Sequence, residues 1–202
     1  KKVWRTLFVI TIAVPQFVSL LLMRNFLNDN GPLNGLLQSL HLIQHPIPFL
    51  SDPVWAKFSI ILVNMWIGIP FTMLVATGII MNLPSEQIEA AEIDGASKLQ
   101  IFKSITFPQI LLIMAPSLIQ QFIGNINNFN VIYFLTGGGP TNSSYYQAGS
   151  TDLLVTWLYK LTVSAKDYNL ASVIGILIFA ISAAFSLLAY TRSASFKEGT
   201  AK

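Results

Sequence analysis

PSEQIEAAEIDGASKLQIFKSITFP, residues 84–108, is the longest charged passage of the chain, and it lies between two long apolar runs. Its first half predicts a short helix, with Ser85 as the N-cap and with Glu86 and Glu89 in the first turn, where carboxylates are favoured. Gly95 can adopt the left-handed conformation that ends a helix. The passage is therefore expected to begin with a short helix that ends in a sharp turn.

The second half of the passage predicts another short helix. Ser97 and Gln100 have the spacing of a capping box, in which two side chains satisfy helix-terminal N–H groups. This helix is expected to continue through Phe102 and Ser104, and Pro108 suits the first turn of the next element. Two short helices joined at a glycine would form an L-shaped protrusion that could lodge in a cleft of a moving partner. The alternative is an ordinary solvated loop.

The composition indicates an integral membrane protein with an all-α fold. Hydrophobic residues make up 53% of the chain, charged residues only 10%, and the mean hydropathy is +0.59. Apart from tyrosine, no ionisable side chain occurs in residues 58–85, 104–151 or 168–191. Each of these gaps is long enough for a helix that crosses a bilayer, which takes about 20 residues.

We predict about four transmembrane helices, at residues 6–23, 58–81, 109–135 and 170–190. This arrangement places both ends of the sequence in the cytoplasm, with eight Lys and Arg residues inside and four outside, as the positive-inside rule favours. The sequence begins at Lys1 in the middle of this pattern. We therefore expect it to be a fragment that lacks upstream helices.

Three polar or short segments are expected to lie outside the bilayer on the outer side. Residues 25–53 form a long connection with a short helical patch at 36–42, residues 136–150 form a loop, and residues 151–161 form an interfacial helix too short to cross. His41 and His45 have helical spacing, but Pro46 adjoins the second and no third ligand is near. No metal site is predicted.

The second span carries a polar face. Asn64, Gly68 and Phe71 recur at spacings of four and three, and Pro70 frees a backbone carbonyl beside them. One interpretation is helix packing, with Gly68 allowing close approach and Asn64 bonding across to a neighbour. The other interpretation is a face that lines a substrate path, and the residues alone favour neither.

The third span carries an unusual concentration of amides. They lie within eleven positions: Gln120, Gln121, Asn125, Asn127, Asn128 and Asn130. Unpaired amides in hydrocarbon cost several kcal/mol, so these side chains are expected to face protein or a wet cavity. Gln121, Asn125 and Asn128 share one helix face with Gly124.

The absence of charge inside the spans bears on function. A secondary transporter usually keeps an ionisable residue within the bilayer, and the predicted spans contain none. Energy for transport would then enter through the exposed passage at residues 84–108. A neutral, amide-rich path with aromatic faces such as Phe71 and Phe129 suits sugar hydroxyls and the apolar face of a sugar ring.

The charged passage also carries a family resemblance. Glu89, Ala90, Ala91 and Gly95 belong to the pattern EAA-x3-G-x9-I-x-F-P. This pattern resembles the EAA loop of permease subunits in binding-protein-dependent ABC importers, whose usual ending is I-x-L-P, so Phe107 is the one departure. The resemblance implies a MetI-like ABC importer permease core, with residues 1–202 as part of one transmembrane domain of a bacterial cell membrane protein.

Beyond the loop, the chain resembles the larger membrane subunit of maltose/maltodextrin importers, the MalF type. The segments VNMWIGIPF, NINNFNVIYFLTGGGP and AGSTDLLVTWLY carry the resemblance. It implies the following sugar-contacting positions: Asn64, Ile67, Gly68, Phe71, Gln121, Gly124 and Asn128. Asn64, Gly68 and Asn128 match in residue type. Gln121 and Gly124 stand where a small hydroxyl residue and an aromatic residue occur in the better-known member.

The resemblance also implies the partners. These are a second permease subunit, two ATPase subunits, an extracytoplasmic sugar-binding protein, the lipid bilayer and an oligosaccharide substrate. ATP and Mg²⁺ would bind the ATPase subunits, because this chain has no phosphate-binding Gly-x4-Gly-Lys-Ser/Thr motif. The chain has no cysteine and a net charge of +3 without a basic run, so neither disulfides nor a nucleic-acid partner is expected.

Two other classes of function are considered. An ATP-independent channel or facilitator for small neutral polar solutes would also have an uncharged polar lumen, but it has no use for a coupling element. A membrane-embedded enzyme would need an acid pair, or a nucleophile with its base, within the spans, and the sequence places none there.

Overall fold

The structure is a computed structural model that describes Thr6 and residues 12–192. Its elements in chain order are α1 (Gln16–Phe26), α2 (Pro32–Ser39), α3 (Pro53–Met81), α4 (Ser85–Ile93), α5 (Lys98–Ile101), a π-helical turn (Phe102–Thr106), α6 (Phe107–Ile126), α7 (Phe129–Leu135), α8 (Leu154–Lys160), a second π-helical turn (Leu161–Ala165) and α9 (Tyr168–Arg192). In the described part of the chain, β-type pairing is confined to an isolated bridge between Thr141 and Gly149. The all-α prediction is confirmed.

Three of the described helices are long and apolar enough to cross a membrane: Pro53–Met81, Lys98–Ile126 and Tyr168–Thr191. They confirm the spans predicted at 58–81 and 170–190. Of the first predicted span, residues 6–23, the stretch 7–11 lies outside the described residues. The last part of this span belongs to α1, which continues to Phe26.

The end of the third predicted span, at residue 135, is wrong. The helix ends at Ile126, and Asn128 instead serves as the N-cap of α7. Asn128 Oδ1 accepts a hydrogen bond from Val131 N at 3.3 Å. An asparagine side chain offers the backbone this alternative to a continuous helix, and it is favoured at an N-cap rather than in a helix interior.

The start of the third span is also earlier than predicted, because α5, the π-helical turn and α6 form one helix from Lys98 to Ile126. Phe107 N donates to Phe102 O, five residues back. Pro108 has no N–H to donate, and a proline ring crowds the carbonyl of the preceding turn. The wider π turn just before it accommodates this change in hydrogen bonding. Pro108 lies near the start of α6 as predicted, but the second short helix runs on into the span.

Helix α4 differs from the prediction at its N-terminus. Pro84 occupies the N-cap, and Ser85 is the first helical residue with no side-chain cap, so the prediction of Ser85 as N-cap is wrong. Proline supplies a fixed φ before a helix but no capping oxygen. Glu86 lies in the first turn as predicted, whereas Glu89 lies one turn later, beyond the predicted first turn.

The turn and the second cap of the charged passage are confirmed. Gly95 has φ +81°. Gly95 N donates to Glu92 O at 3.1 Å and Ala96 N to Ala91 O at 3.0 Å, the paired bonds of a Schellman motif. Gln100 N donates to Ser97 Oγ at 3.4 Å, and Ser97 N donates to Gln100 Oε1 at 2.8 Å. Local sequence therefore fixes both helix ends that meet at this turn.

The connection between α1 and α3 is held by one buried amide. Asn34, only 1% exposed, donates through Nδ2 to Ile47 O at 2.9 Å and to Asp29 O at 3.2 Å, and its Oδ1 accepts from Ile47 N at 2.9 Å. Asn34 lies in α2, which starts at Pro32 rather than at the predicted residue 36 because proline suits the first helical position.

Replacing Asn34 with leucine should destabilise the protein by about 2–3 kcal/mol, because buried backbone groups at Ile47 lose their partners. The measurement is thermal unfolding of the purified membrane complex. Asn30→Leu is the matched control, since Asn30 is exposed and its change should stay within about 0.5 kcal/mol. Equal unfolding temperatures for the two variants would contradict the role assigned to Asn34.

The described part of the chain divides into two compact units, one within residues 1–70 and 124–182 and the other within residues 71–123 and 183–202. In the first unit, one core cluster joins α1, α3 and α7 through Leu20, Val63, Val131 and Leu135. In the second unit, Phe122 and Phe185 pack with ring centroids 5.9 Å apart.

A further cluster of the first unit anchors α8 to α9. It consists of Leu161, Ala171 and Ile174, with Trp157 and Leu158 packed against it. A Cβ added at Gly175 would meet Leu158 Cδ1 at 3.4 Å, so a residue this small lets α8 and α9 pack closely. The segment predicted at 151–161 contains α8, Leu154–Lys160, which is too short to span.

Candidate functional site

In the first unit, three asparagines from α3, α6 and the start of α7 form a hydrogen-bonded cluster. Asn64 Nδ2 donates to Asn125 Oδ1 at 2.8 Å, and Asn128 Nδ2 donates to Asn64 Oδ1 at 3.0 Å and to Asn125 Oδ1 at 3.4 Å. Asn64 and Asn128 are half-buried and Asn125 is exposed. The sequence-predicted residues Asn64 and Asn128 are therefore brought together, and Asn125 joins them.

Two predicted glycines of the same unit border open space. A Cβ added at Gly68 or at Gly124 would meet no heavy atom within 4 Å beyond the local chain and its own helix. The backbone is thus accessible at both positions. Ile67 is half-buried and packs against the cluster formed by Leu20 and its neighbours, so it supplies packing at this point.

The remaining predicted site residues, Phe71 and Gln121, belong to the second unit. Gln121 Oε1 accepts a hydrogen bond from Thr72 Oγ1 at 2.9 Å. Phe71 is 52% exposed. Thr72 was not predicted as a site residue, although its position next to Phe71 and its hydroxyl could have indicated a partner for an amide.

Other amides of the cluster predicted from the sequence also have partners. Asn127 Nδ2 donates to Ser182 Oγ at 2.9 Å, and Asn130 Nδ2 donates to Gln16 Oε1 at 3.3 Å. These bonds connect segments far apart in sequence. They agree with the expectation that amides in an apolar region face protein or water.

The passage at residues 84–108 presents an exposed surface. Glu89, Ala90 and Gly95 are exposed, and Ala91 is half-buried. The exposed fraction of Ile93 reaches 86%. An apolar side chain this exposed is available for contact with another protein or with lipid.

The base of this passage is tied to the following span. Gln109 Nε2 donates to Gln87 Oε1 at 2.5 Å, which joins α4 to α6 within the second unit. Within Thr6 and residues 12–192, no group of three His, Cys, Asp or Glu residues is placed to hold a metal ion.

Long apolar helices, a neutral amide cluster and an exposed helical turn describe a polytopic membrane protein. The model of the family described as binding-protein-dependent transport system inner membrane component matches residues 1–195. The chain belongs to this family.

Curated relatives carry sugar-transport names. The chain is 39% identical over 201 residues to the galactooligosaccharides transport system permease protein GanP of Bacillus subtilis (strain 168), covering 98% of this chain and 47% of that protein. It is 38% identical over 203 residues to the maltodextrin transport system permease protein MdxF of the same organism, covering 97% and 46%. The chain thus spans about half the length of these relatives.

A solved structure has the same fold. It is a bacterial ABC transporter involved in the import of the acidic polysaccharide alginate, and it matches with a TM-score of 0.81 and 25% identity, over 95% of this chain and 65% of that one. The predicted MetI-like permease fold is confirmed by this match and by the family model.

Proposed function

We propose that this chain is the core of the permease subunit of an ATP-driven carbohydrate importer. The proposed substrate is maltose or maltodextrin. It forms part of the translocation path in the bacterial cell membrane and takes energy from ATPase subunits through residues 84–108. Family membership and the names of the relatives support the class of protein and of substrate.

The observation that carries the proposal is the shape of the exposed passage. Helix α4 and the helix that starts at Lys98 meet at Gly95, whose positive φ fixes the sharp turn. Their ends are closed by a Schellman motif and a capping box, so the protrusion is ordered by its own hydrogen bonds. Ile93 and Leu99, 86% and 61% exposed, offer apolar contacts to a partner. A rigid protrusion that continues into a membrane span can transmit motion from an ATPase to that span.

The partners in this proposal are a second permease subunit, two ATPase subunits that hold ATP and Mg²⁺, and an extracytoplasmic sugar-binding protein. In this proposal both ends of the sequence lie in the cytoplasm, as the distribution of Lys and Arg favours. The loop between α7 and α8 then lies on the outer side, and residues 84–108 lie inside with the ATPases.

The substrate path uses the positions predicted from the resemblance. In the first unit, the Asn64 and Asn128 amides bond to each other, and a sugar hydroxyl can replace such a bond because hydroxyls both donate and accept. The open backbone at Gly68 and Gly124 leaves room for a ligand. Ile67 belongs to the proposed set in the first unit, and Phe71 and Gln121 of the second unit stay predictions from the resemblance.

Uptake by the complete importer in proteoliposomes tests the proposal. Accumulation of maltotetraose that requires ATP and sugar-loaded binding protein is the expected result. Equal uptake without ATP, driven only by the sugar gradient, would show a channel or facilitator and overturn the proposal.

The Asn128→Ser variant should lower maltotetraose uptake about fivefold while leaving complex yield intact, because serine keeps the N-cap of α7 but loses the carboxamide. Uptake and yield are measured together with ATPase activity stimulated by loaded binding protein. Asn130→Ser is the matched control, since Asn130 is exposed and bonds Gln16 instead.

The opposite pattern would assign the amide cluster to helix packing. Reduced yield or unfolding temperature of Asn128→Ser, with normal transport by the surviving complex, contradicts the substrate role. Gly68→Leu gives a second test, because its added side chain meets no protein atom near the backbone and should obstruct the path without lowering yield.

A further inference from the structure

The loop between α7 and α8 is built around a buried ion pair. Lys160 Nζ lies 2.6 Å from Asp152 Oδ2, and the Asp152 side chain is 2% exposed. Asp152 Oδ2 also accepts from Gly149 N at 2.7 Å. A Cβ added at Gly138 would collide with Asp152 Oδ1, so the loop closes tightly on this carboxylate. The result is a fixed scaffold rather than a free loop.

This scaffold encloses one side of an open cavity of about 470 Å³. The residues that line it belong to the first unit: Thr136, Gly137, Gly139, Thr141, Asn142, Tyr145, Gln147, Ala148, Gly149 and Lys160. A volume of this size lies within the range of about 300–1,000 Å³ for small-molecule pockets. The volume is sufficient for a sugar unit.

The lining groups match a neutral polyhydroxyl ligand. Asn142 and Gln147 each carry a donor and an acceptor, and Tyr145, 62% exposed, offers an aromatic ring at the edge. Lys160 is 27% exposed and its ammonium has three donors, of which the described contacts use one, to Asp152. Since Asp152 neutralises that charge, the cavity does not present the net positive field that an anionic ligand would require.

We propose that this cavity is an outer saccharide subsite, which holds one terminal sugar unit of a neutral oligosaccharide before it reaches the membrane path. The inference rests on the proposed function, which places this loop on the outer side and supplies the oligosaccharide. It adds a binding position outside the spans, separate from the Asn64 and Asn128 cluster.

Site-specific labelling tests the subsite directly. The chain has no cysteine, so Ala148→Cys introduces a unique thiol in the cavity lining, in a complete subunit whose other cysteines are replaced by serine. Right-side-out vesicles carrying the assembled importer are treated with a membrane-impermeant maleimide, without ATP or binding protein. Maltotetraose should slow labelling saturably, by about tenfold at ten times the half-saturating concentration.

Two pairs of variants, each with one residue inside the cavity lining and one outside it, serve as controls. Ser144→Cys lies in the same loop but outside the lining, and its labelling should not change with maltotetraose. Added to Ala148→Cys, Tyr145→Ala should weaken protection roughly fivefold through loss of the ring face. Tyr146→Ala, equally exposed but outside the lining, should leave protection unchanged.

The outcomes separate this inference from the proposed function. If maltotetraose does not slow labelling of Ala148→Cys in an importer that accumulates this sugar with ATP, the subsite alone is overturned. If maltotetraose slows labelling but no ATP-driven uptake occurs, the proposed function alone is overturned. If labelling slows only when binding protein is added, the cavity is a contact surface for that protein, and the subsite is overturned. Protection by an anionic uronic oligosaccharide but not by maltotetraose would overturn the assignment to a neutral sugar.

Discussion

Replacing Gly95 with aspartate should reduce ATP-driven maltotetraose uptake at least about tenfold while the protein still inserts into the membrane. Gly95 has φ +81° and is exposed between the two helices proposed to meet the ATPase. Aspartate tolerates this left-handed conformation better than most residues, so the fold of the turn should survive. The new side chain and its charge then lie on the proposed docking surface, where an unpaired buried charge costs several kcal/mol.

Gly95→Asn is the matched control for Gly95→Asp, because it adds a side chain of the same shape without charge and should retain more uptake. Glu89→Lys provides an independent variant, since Glu89 is exposed on α4 and its change alters charge without touching the turn. Uptake is measured together with pull-down of the ATPase from membranes that carry each variant. If both Gly95→Asp and Glu89→Lys retain normal ATPase association and normal uptake, the coupling role is contradicted.

Replacing Lys160 with methionine should destabilise the protein by about 3–5 kcal/mol, because the Asp152 carboxylate would remain buried without its partner. The pair is 2.6 Å apart and the Asp152 side chain is almost fully buried. Thermal unfolding of the purified complex measures the effect. Lys57→Met is the control, since Lys57 is exposed and should change stability by no more than about 0.5 kcal/mol.

The double variant Lys160→Met with Asp152→Asn distinguishes the ion pair from loss of the lysine stem. Asparagine removes the buried charge but keeps an oxygen that can accept from Gly149 N. We expect it to recover at least half of the lost stability. If the double variant were as unstable as Lys160→Met alone, the buried charge would not be the cause.

Predictions from the sequence succeeded where neighbouring residues decide the conformation. The Gly95 turn and the Ser97–Gln100 capping box depend on residues within one or two turns, and both are confirmed. The end of the third span was predicted wrongly for a related reason. Asn128 can either continue a helix or cap the next one, and its local pattern does not choose between them.

The sequence by itself determined that the chain is an all-helical membrane protein, because apolar runs free of charge must form helices whose backbone groups bond internally. It also determined the charged turn at residues 84–108. The tertiary structure alone decided which polar groups meet. Asn64 bonds to Asn128, 64 positions away, and Lys160 at the end of α8 pairs with Asp152, eight positions earlier. Such pairs depend on how helices and loops pack in space, which no spacing within a single helix can specify.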